Sequence, residues 1–237
     1  AYAVDNRIGR GSKNYWNDGI RTVGTAGPAA YSSWFEGAKF ANFLTTGDAY
    51  TGVYQFNSSG VLTGIDRTYR NGNNMAYVLP SENEWYKAAY YKPVNNGSYS
   101  LYASGLDTDP VHGTSSGWNY HNGSYVNVGP NYTWESGFGG KEQNGTFDMN
   151  GNAWEWIEDT YDSLDDIEGN RVIRGGFYGP SALRLRSLNR YGVDPADESG
   201  NEAFGLRVAA IPEPGVIGLM SLFASGAVFV RRIFPSI

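Results

Sequence analysis

From about Asn95 to Gly145 the chain sustains neither a helical nor a strand period and is rich in Gly, Asn, Ser and Tyr. A loop this long inside a compact domain needs an organiser, whether a function, a metal ion or disorder. Six aromatics between Tyr120 and Phe147 (Tyr120, Tyr125, Tyr132, Trp134, Phe138 and Phe147) argue against simple disorder. The whole chain shares this character: 15% of it is aromatic, with 18 Tyr, 7 Trp and 32 Gly. Irregular backbone wrapped around rings is the expected result, in a chain of 237 residues that is long enough to bury a real core.

Regular structure is readable at the flanks. In "SSWFEGAKFANFL", Ser33 and Glu36 form an S-x-x-E capping box, and Trp34, Ala38, Ala41 and Leu44 follow at helical spacing as an inward face. "LPSENEWYKAAYYKP" repeats the device with Ser81 and Glu84, turns Trp85, Ala88 and Ala89 inward, and meets Pro93 at its end. "NRVIRGGFYG" and "FGLRVAAI" read as short strands, the second closing the domain. The predicted class is therefore α+β, loop-rich, with few helices and small sheets.

Charge and composition exclude several functions. With 24 acids against 18 bases, the chain lacks the basic field that nucleic-acid binding needs. It has no cysteine, which removes disulfides, thiolate metal sites and thiol catalysis together. "GRGSK" near the start lacks P-loop spacing. Arg174, Arg184, Arg186, Arg190 and Arg207 either line an anionic groove or, the favoured reading, pair with the domain's own carboxylates. The run "EDTYDSLDDIEG" reads as a solvated acidic loop, and His112 and His121 as surface residues.

The densest chemistry lies in "GTFDMNGNAWEWIED", Gly145 to Asp159. Trp154 and Trp156 are expected in the core. Asp148 and Glu155 offer charged oxygens, and Gly151 lets the backbone turn so that carbonyls converge, which suits a hard cation such as calcium. The competing readings are that both acids simply accept backbone hydrogen bonds, or that they form a glycosidase-type pair.

The blocks "YSSWFEGAKFANFL", "YVLPSENEWYKAA", "GTFDMNGNAWEW" and "RVIRGGFYGPSALRLRSLNR" running to "FGLRVA" occur in an order that resembles the formylglycine-generating enzyme, or sulfatase-modifying-factor, domain. The resemblance spans roughly Tyr31 to Ala209 and implies a C-type-lectin-like fold. The domain is expected over residues 1–210, with little of the family's earlier helical segment visible before the first block. The family's enzymes oxidise a substrate cysteine using copper on two cysteines shortly after the "GG" of the last block. Here Pro180 and Leu185 stand near those positions, and neither binds Cu(I), so copper is not expected. A second branch, which makes sulfoxides with iron held by several histidines, is disfavoured by the presence of only two. Carried over residue by residue, the family's calcium loop becomes Asp148, the carbonyls of Gly151 and Ala153, and Glu155. Asn119 in "GWNYHN" matches an upstream calcium site.

The last segment, residues 211–237, carries its own signal. An uncharged apolar run from Gly215 to Val230 would extend roughly 24 Å as a helix, slightly short of a hydrocarbon core of about 30 Å. Arg231 and Arg232 follow it and, by the positive-inside rule, place the preceding domain outside the cytoplasm. Pro212, Glu213 and Pro214, this apolar run and the arginine pair together resemble the PEP-CTERM sorting signal of exported Gram-negative proteins. That resemblance implies transient anchoring in the inner membrane, cleavage by an exosortase-type protease, and release to the envelope or extracellular matrix. The expected function is a non-catalytic, calcium-stabilised domain binding an exopolysaccharide or protein partner. A formylglycine-generating oxidoreductase is the alternative.

Overall fold

The computed structural model describes residues 28–29, 32–72, 75–93, 97–113, 116–120, 133–162, 167, 169–179, 181–197 and 204–211. Its elements in chain order are α1 (Trp34–Thr46), β1 (Tyr54–Phe56), β2 (Leu62–Ile65), β3 (Ala76–Val78), α2 (Glu82–Tyr90), β4 (Tyr91–Lys92), β5 (Ser98–Tyr99), β6 (Trp154–Thr160), β7 (Arg171–Arg174), β8 (Tyr191–Val193), β9 (Phe204–Leu206) and β10 (Ala209–Ile211). A 3-10 turn covers Ala182–Leu185. Two helices and small sheets joined by long irregular stretches match the predicted class. The apolar run, His121 and Pro180 lie outside the described residues. Among the described residues no helix is long and apolar enough to cross a membrane.

Two compact units divide the chain: Ala1–Phe40 with Leu79–Val208, and Ala41–Val78 with Ala209–Ile237. The larger unit is built on a four-stranded sheet ordered β8-β7-β6-β9, in which only the β6–β9 pair is parallel. Its central strand β6 is buried at every position except the half-buried Asp159. One face of β6 carries Ile157 into a core with Trp85, Ala89, Tyr90, Met149 and Val172. Trp154 and Trp156 are 2% and 0% exposed, as expected. The indole of Trp156 donates to the Ser32 carbonyl at 2.7 Å, and that of Trp34 to the Ile157 carbonyl at 2.9 Å. The strand also takes in Glu158, Asp159 and Thr160. The acidic run therefore begins inside the sheet, and Glu158 and Thr160 are buried where a solvated loop was expected.

Both capping boxes form. Ser33 N donates to Glu36 at 2.9 Å while Glu36 N donates to the Ser33 hydroxyl at 3.3 Å. Ser81 and Glu84 make the same exchange at 2.8 and 3.3 Å. After Tyr90 the backbone turns extended straight into β4, with Lys92 held in the conformation that a residue before proline prefers. The carboxamide of Asn144 donates to the carbonyls of Ala88 and Tyr91 at 3.1 and 2.9 Å, covering exposed carbonyls at the end of α2.

The smaller unit pairs β1 with β2 and β3 with β10, both antiparallel. "FGLRVAAI" is thus two strands in two sheets, β9 and β10, and not one. On α1 the expected face also shifts. Trp34, Ala38 and Ala41 are buried, but Leu44 is 38% exposed and Asn42 and Thr45 are buried in its place. Polarity alone points the wrong way here because both residues are fully bonded. Asn42 donates to the carbonyls of Ala49 and Tyr54 and accepts from Tyr54 N, and Thr45 donates to the Ala41 carbonyl.

Candidate functional site

The loop before β6 passes through left-handed backbone at Asp148, Gly151 and Asn152, with φ of 59°, 81° and 65°. Asn and Asp tolerate this region better than other side chains. At 151 only glycine fits, since a Cβ there would collide with the Asn119 carbonyl oxygen. Ala153 N donates to the Gly151 carbonyl at 2.9 Å, closing a three-residue turn over Asn152. Asn152 N reaches the Asn119 carbonyl at 2.8 Å, and Gly151 N reaches that of Gly175 at 2.8 Å.

Two buried asparagines fix this path. Asn152 Oδ1 accepts from Trp134 N at 2.8 Å and from Asn119 Nδ2 at 3.1 Å. Asn150 Oδ1 accepts from Ala103 N at 2.7 Å, and its Nδ2 donates to the Leu185 carbonyl at 2.8 Å. The buried Glu142 gathers the other side. It accepts from the Thr146 hydroxyl at 2.9 Å, Asn150 N at 3.2 Å and Trp118 Nε1 at 3.3 Å. Burial pushes its carboxyl up to about 7, against the opposing pull of the Thr146 hydrogen bond.

These supports place Asp148, Ala153 and Glu155 on the wall of a cavity of about 580 Å³ that is also lined by Phe147, Asn152 and Arg207. Asp148 accepts from Trp134 Nε1 and from Gly137 N, both at 2.7 Å. Burial raises its pKa, partly offset by the Gly137 amide. Glu155 accepts from Trp85 Nε1 at 2.6 Å and forms a two-pronged ion pair with Arg207, at 2.6 and 2.9 Å. Burial opposes the charge on Arg207, but Glu155 beside it, with Glu142 and Asp148 beyond, holds its pKa above the usual value. Arg207 Nη2 also donates to the Phe147 carbonyl at 2.8 Å.

Of the residues singled out for calcium, Asp148, Ala153 and Glu155 share this cavity, while Gly151 and Asn119 pack against each other and do not line it. The donors are all oxygen, which suits a hard cation. Among the described residues Asp148 has no ion-pair partner, whereas Glu155 already shares its charge with Arg207. Among the described residues no group of three or more His, Cys, Asp or Glu side chains is arranged to hold a metal ion.

The arginines mostly find internal partners, as expected. Arg174 and Arg190 share Glu82, Arg207 holds Glu155, and Arg186 donates to the Tyr102 hydroxyl at 3.0 Å. Arg184 instead meets Tyr191. Leu185 is fully buried among Tyr102, Tyr120 and Ala182. His112 is half-buried rather than a surface residue, with its ring against Tyr120 at 5.4 Å. Sequence reasoning missed Glu142, Asn150 and Asn152. Only the Gly-Asn pair at 151–152, a turn signal, pointed to one of them.

A family model, the Sulfatase-modifying factor enzyme 1-like domain, matches residues 10–211. The chain belongs to this family. The match covers both the β6 loop with its cavity and Arg207, which directly follows β9. Among solved structures, this sulfatase-modifying-factor-like chain is similar to Treponema denticola variable protein 1. The two are 17% identical with a TM-score of 0.57, over 87% of this chain and 79% of that one. It is also similar to CarF, at 22% identity and a TM-score of 0.50, over 77% of this chain and 66% of that one. Both likenesses concern the fold. No match is found among curated proteins.

Proposed function

We propose that this chain is a non-catalytic sulfatase-modifying-factor-like domain of the cell envelope or extracellular matrix, which binds a glycan or protein partner through the cavity between Asp148 and Arg207. One observation carries the reading: the family's oxidation requires a thiolate pair, and this sequence has no cysteine. At one of the two corresponding positions stands Leu185, a core residue. Leu185 does not line the cavity at Asp148, whose size is in the ordinary range for ligand sites. Arg207 Nη1 is not spent on Glu155 or Phe147, so a guanidinium edge remains to meet a hydroxyl or carbonyl of a ligand.

Export rests on the tail. Pro212, Glu213 and Pro214, the apolar run, and Arg231 with Arg232 make it a substrate for an exosortase-type protease after passage through the inner membrane. Calcium, in this reading, is structural and held by Asp148, the carbonyls of Gly151 and Ala153, and Glu155, with Asn119 marking the upstream loop. It would compete with Arg207 for Glu155.

Three measurements test these parts separately. Assayed on a cysteine-containing peptide with added copper, the purified chain is expected to show no oxidation. Turnover above background would restore the oxidoreductase reading. Glycan arrays and matrix pull-downs are expected to yield a ligand whose binding is lost in Arg207→Met, measured under conditions where that variant is folded. A chelator is expected to lower the melting temperature and calcium to restore it. An unchanged melt removes the ion.

A further inference from the structure

The smaller unit contains a second concavity, of about 450 Å³, that shares no residue with the cavity at Asp148. It is lined by Tyr50, Thr51, Phe56, Asn57, Ser58 and Ser59, and none of its lining residues is charged. Tyr50 and Phe56 meet edge to face, with ring centroids 6.0 Å apart and planes at 80°, so the two rings form a corner. Tyr50 is 52% exposed. A Cβ at Gly60 would lie 3.9 Å from the same ring, in ordinary van der Waals contact.

Both walls are braced. On one side the Thr46 hydroxyl donates to the Thr51 carbonyl at 2.8 Å, and Asp48 Oδ1 accepts from Tyr50 N at 2.7 Å. On the other, Asn57 Oδ1 accepts from Ser59 N at 2.9 Å and Val61 N at 3.0 Å, while Asn57 N donates to the Val61 carbonyl at 2.9 Å. Elsewhere in the same unit, the side chains of Thr46, Asp48, Thr63, Asp66 and Thr68 all bond to backbone or to one another. Among the described residues, the hydroxyls of Thr51, Ser58 and Ser59 and the side-chain nitrogen Nδ2 of Asn57 have no hydrogen-bond partner. Unspent neutral donors and acceptors are thus collected beside a ring corner on a fixed frame, where binding pays little ordering entropy.

From this arrangement we infer that the groove is a binding site for a neutral saccharide. Ring faces take the apolar face of a pyranose, and hydroxyls and a carboxamide match its hydroxyl rim. The lack of any charge in the lining leaves nothing to recognise a phosphate, a uronate or an acidic peptide. The inference goes beyond the cavity at Asp148 and stands whether or not that cavity takes a ligand.

The full chain titrated with maltotriose, cellotriose and N-acetylchitotriose, and followed by backbone amide NMR, decides the matter. Expected are saturable shifts of the amides between residues 48 and 61 with at least one neutral trisaccharide, and none there with trigalacturonate. Tyr50→Ala is expected to weaken binding about tenfold with an unchanged melting temperature. Should that variant melt early, Ser58→Ala with Ser59→Ala serves instead and is expected to weaken binding severalfold. No shift in this segment with any neutral trisaccharide overturns the inference, as does undiminished affinity in the folded variants. Shifts confined to residues 134–155 overturn it too, while supporting a ligand in the cavity at Asp148.

Discussion

Two stretches of this chain solve the same problem by different means. Both Thr46–Thr68 and Glu142–Glu155 are largely irregular backbone held by polar side chains. In the first, Asp48, Asn57 and Asp66 bond to amides two to four residues away, at the surface. In the second, the bonds reach far along the chain and are buried. Asn152 binds Trp134 and Asn119, 18 and 33 residues away, Asn150 binds Ala103, 47 away, and Glu155 binds Trp85, 70 away. A surface turn exchanges its lost bond for water at little cost, whereas a buried donor left without an acceptor carries its full desolvation penalty. The buried stretch is therefore where separate segments of the larger unit are joined, and the surface stretch is only shaped locally.

The sharpest way to break this comparison is Asn152→Ala. It strands the amide of Trp134 in the interior, takes the Asn152 acceptor away from the side-chain nitrogen of Asn119, and removes a residue suited to φ 65°. A loss of about 3–5 kcal/mol in urea unfolding is expected. A loss below about 1 kcal/mol, the surface-like range, would mean that the loop is not the junction described.

Arg207→Met comes next. It leaves Glu155, 7% exposed, with the Trp85 indole as its remaining bonded partner among the described residues. Arg207 is partly open to solvent, so a loss of roughly 2–3 kcal/mol is expected, below the value for a fully buried pair. Adding Glu155→Gln should recover part of it, because the uncompensated charge is then gone. Strictly additive losses would show that the ion pair is not the relevant contact.

The third prediction concerns pH. In the folded chain burial raises the Glu142 carboxyl from 4.5 to about 7, so between those values the folded state holds a proton that the unfolded state releases. Stability therefore falls as pH rises from about 4.5 to about 7 and is flat above, as far as this group is concerned. The upward shift at Asp148 has the same sign. Glu142→Gln keeps an acceptor for Trp118 and Asn150 and a donor for the Thr146 hydroxyl. It should flatten the slope and raise stability at neutral pH by about 1–2 kcal/mol. An unchanged slope in urea melts across this range would assign the titration to another group.

How much of this was legible follows the same division of range. Ser33 with Glu36 and Ser81 with Glu84 are three residues apart, and both boxes were readable. The tryptophans of "WEW" and the ordered family blocks were readable too, because rings must be buried and block order survives in a linear chain. Leu44 was misplaced because Asn42 reaches the Ala49 and Tyr54 carbonyls and Thr45 accepts from Tyr77 N, partners that no local pattern announces. "FGLRVAAI" looked continuous because strand propensity does not say which sheet each half joins. Glu142, Asn150 and Asn152 went unnoticed as organisers since their partners lie tens of residues away. Asp148 and Glu155 were visible as acids, but not the Trp134, Trp85 and Arg207 donors that hold them.

The smallest effect, and the one that sharpens the comparison from the other side, is expected at Asn57. Its Oδ1 accepts from Ser59 N and Val61 N at the tip of the β1–β2 hairpin, both exposed. Asn57→Ala frees two amides that water reaches at once, and the backbone bonds between Asn57 and Val61 and between Gly60 and Asn57 remain to close the turn. The expected cost is about 0.5–1 kcal/mol, several times smaller than at Asn152 although the same residue type loses a similar number of bonds. Amide exchange should speed up at Ser59 and Val61 while the β1–β2 pairing of Tyr54 with Ile65 stays protected. If Asn57→Ala instead costs as much as Asn152→Ala, burial and chain separation are not what distinguishes the two stretches. The hairpin tip would then have to be counted among the junctions of its own unit.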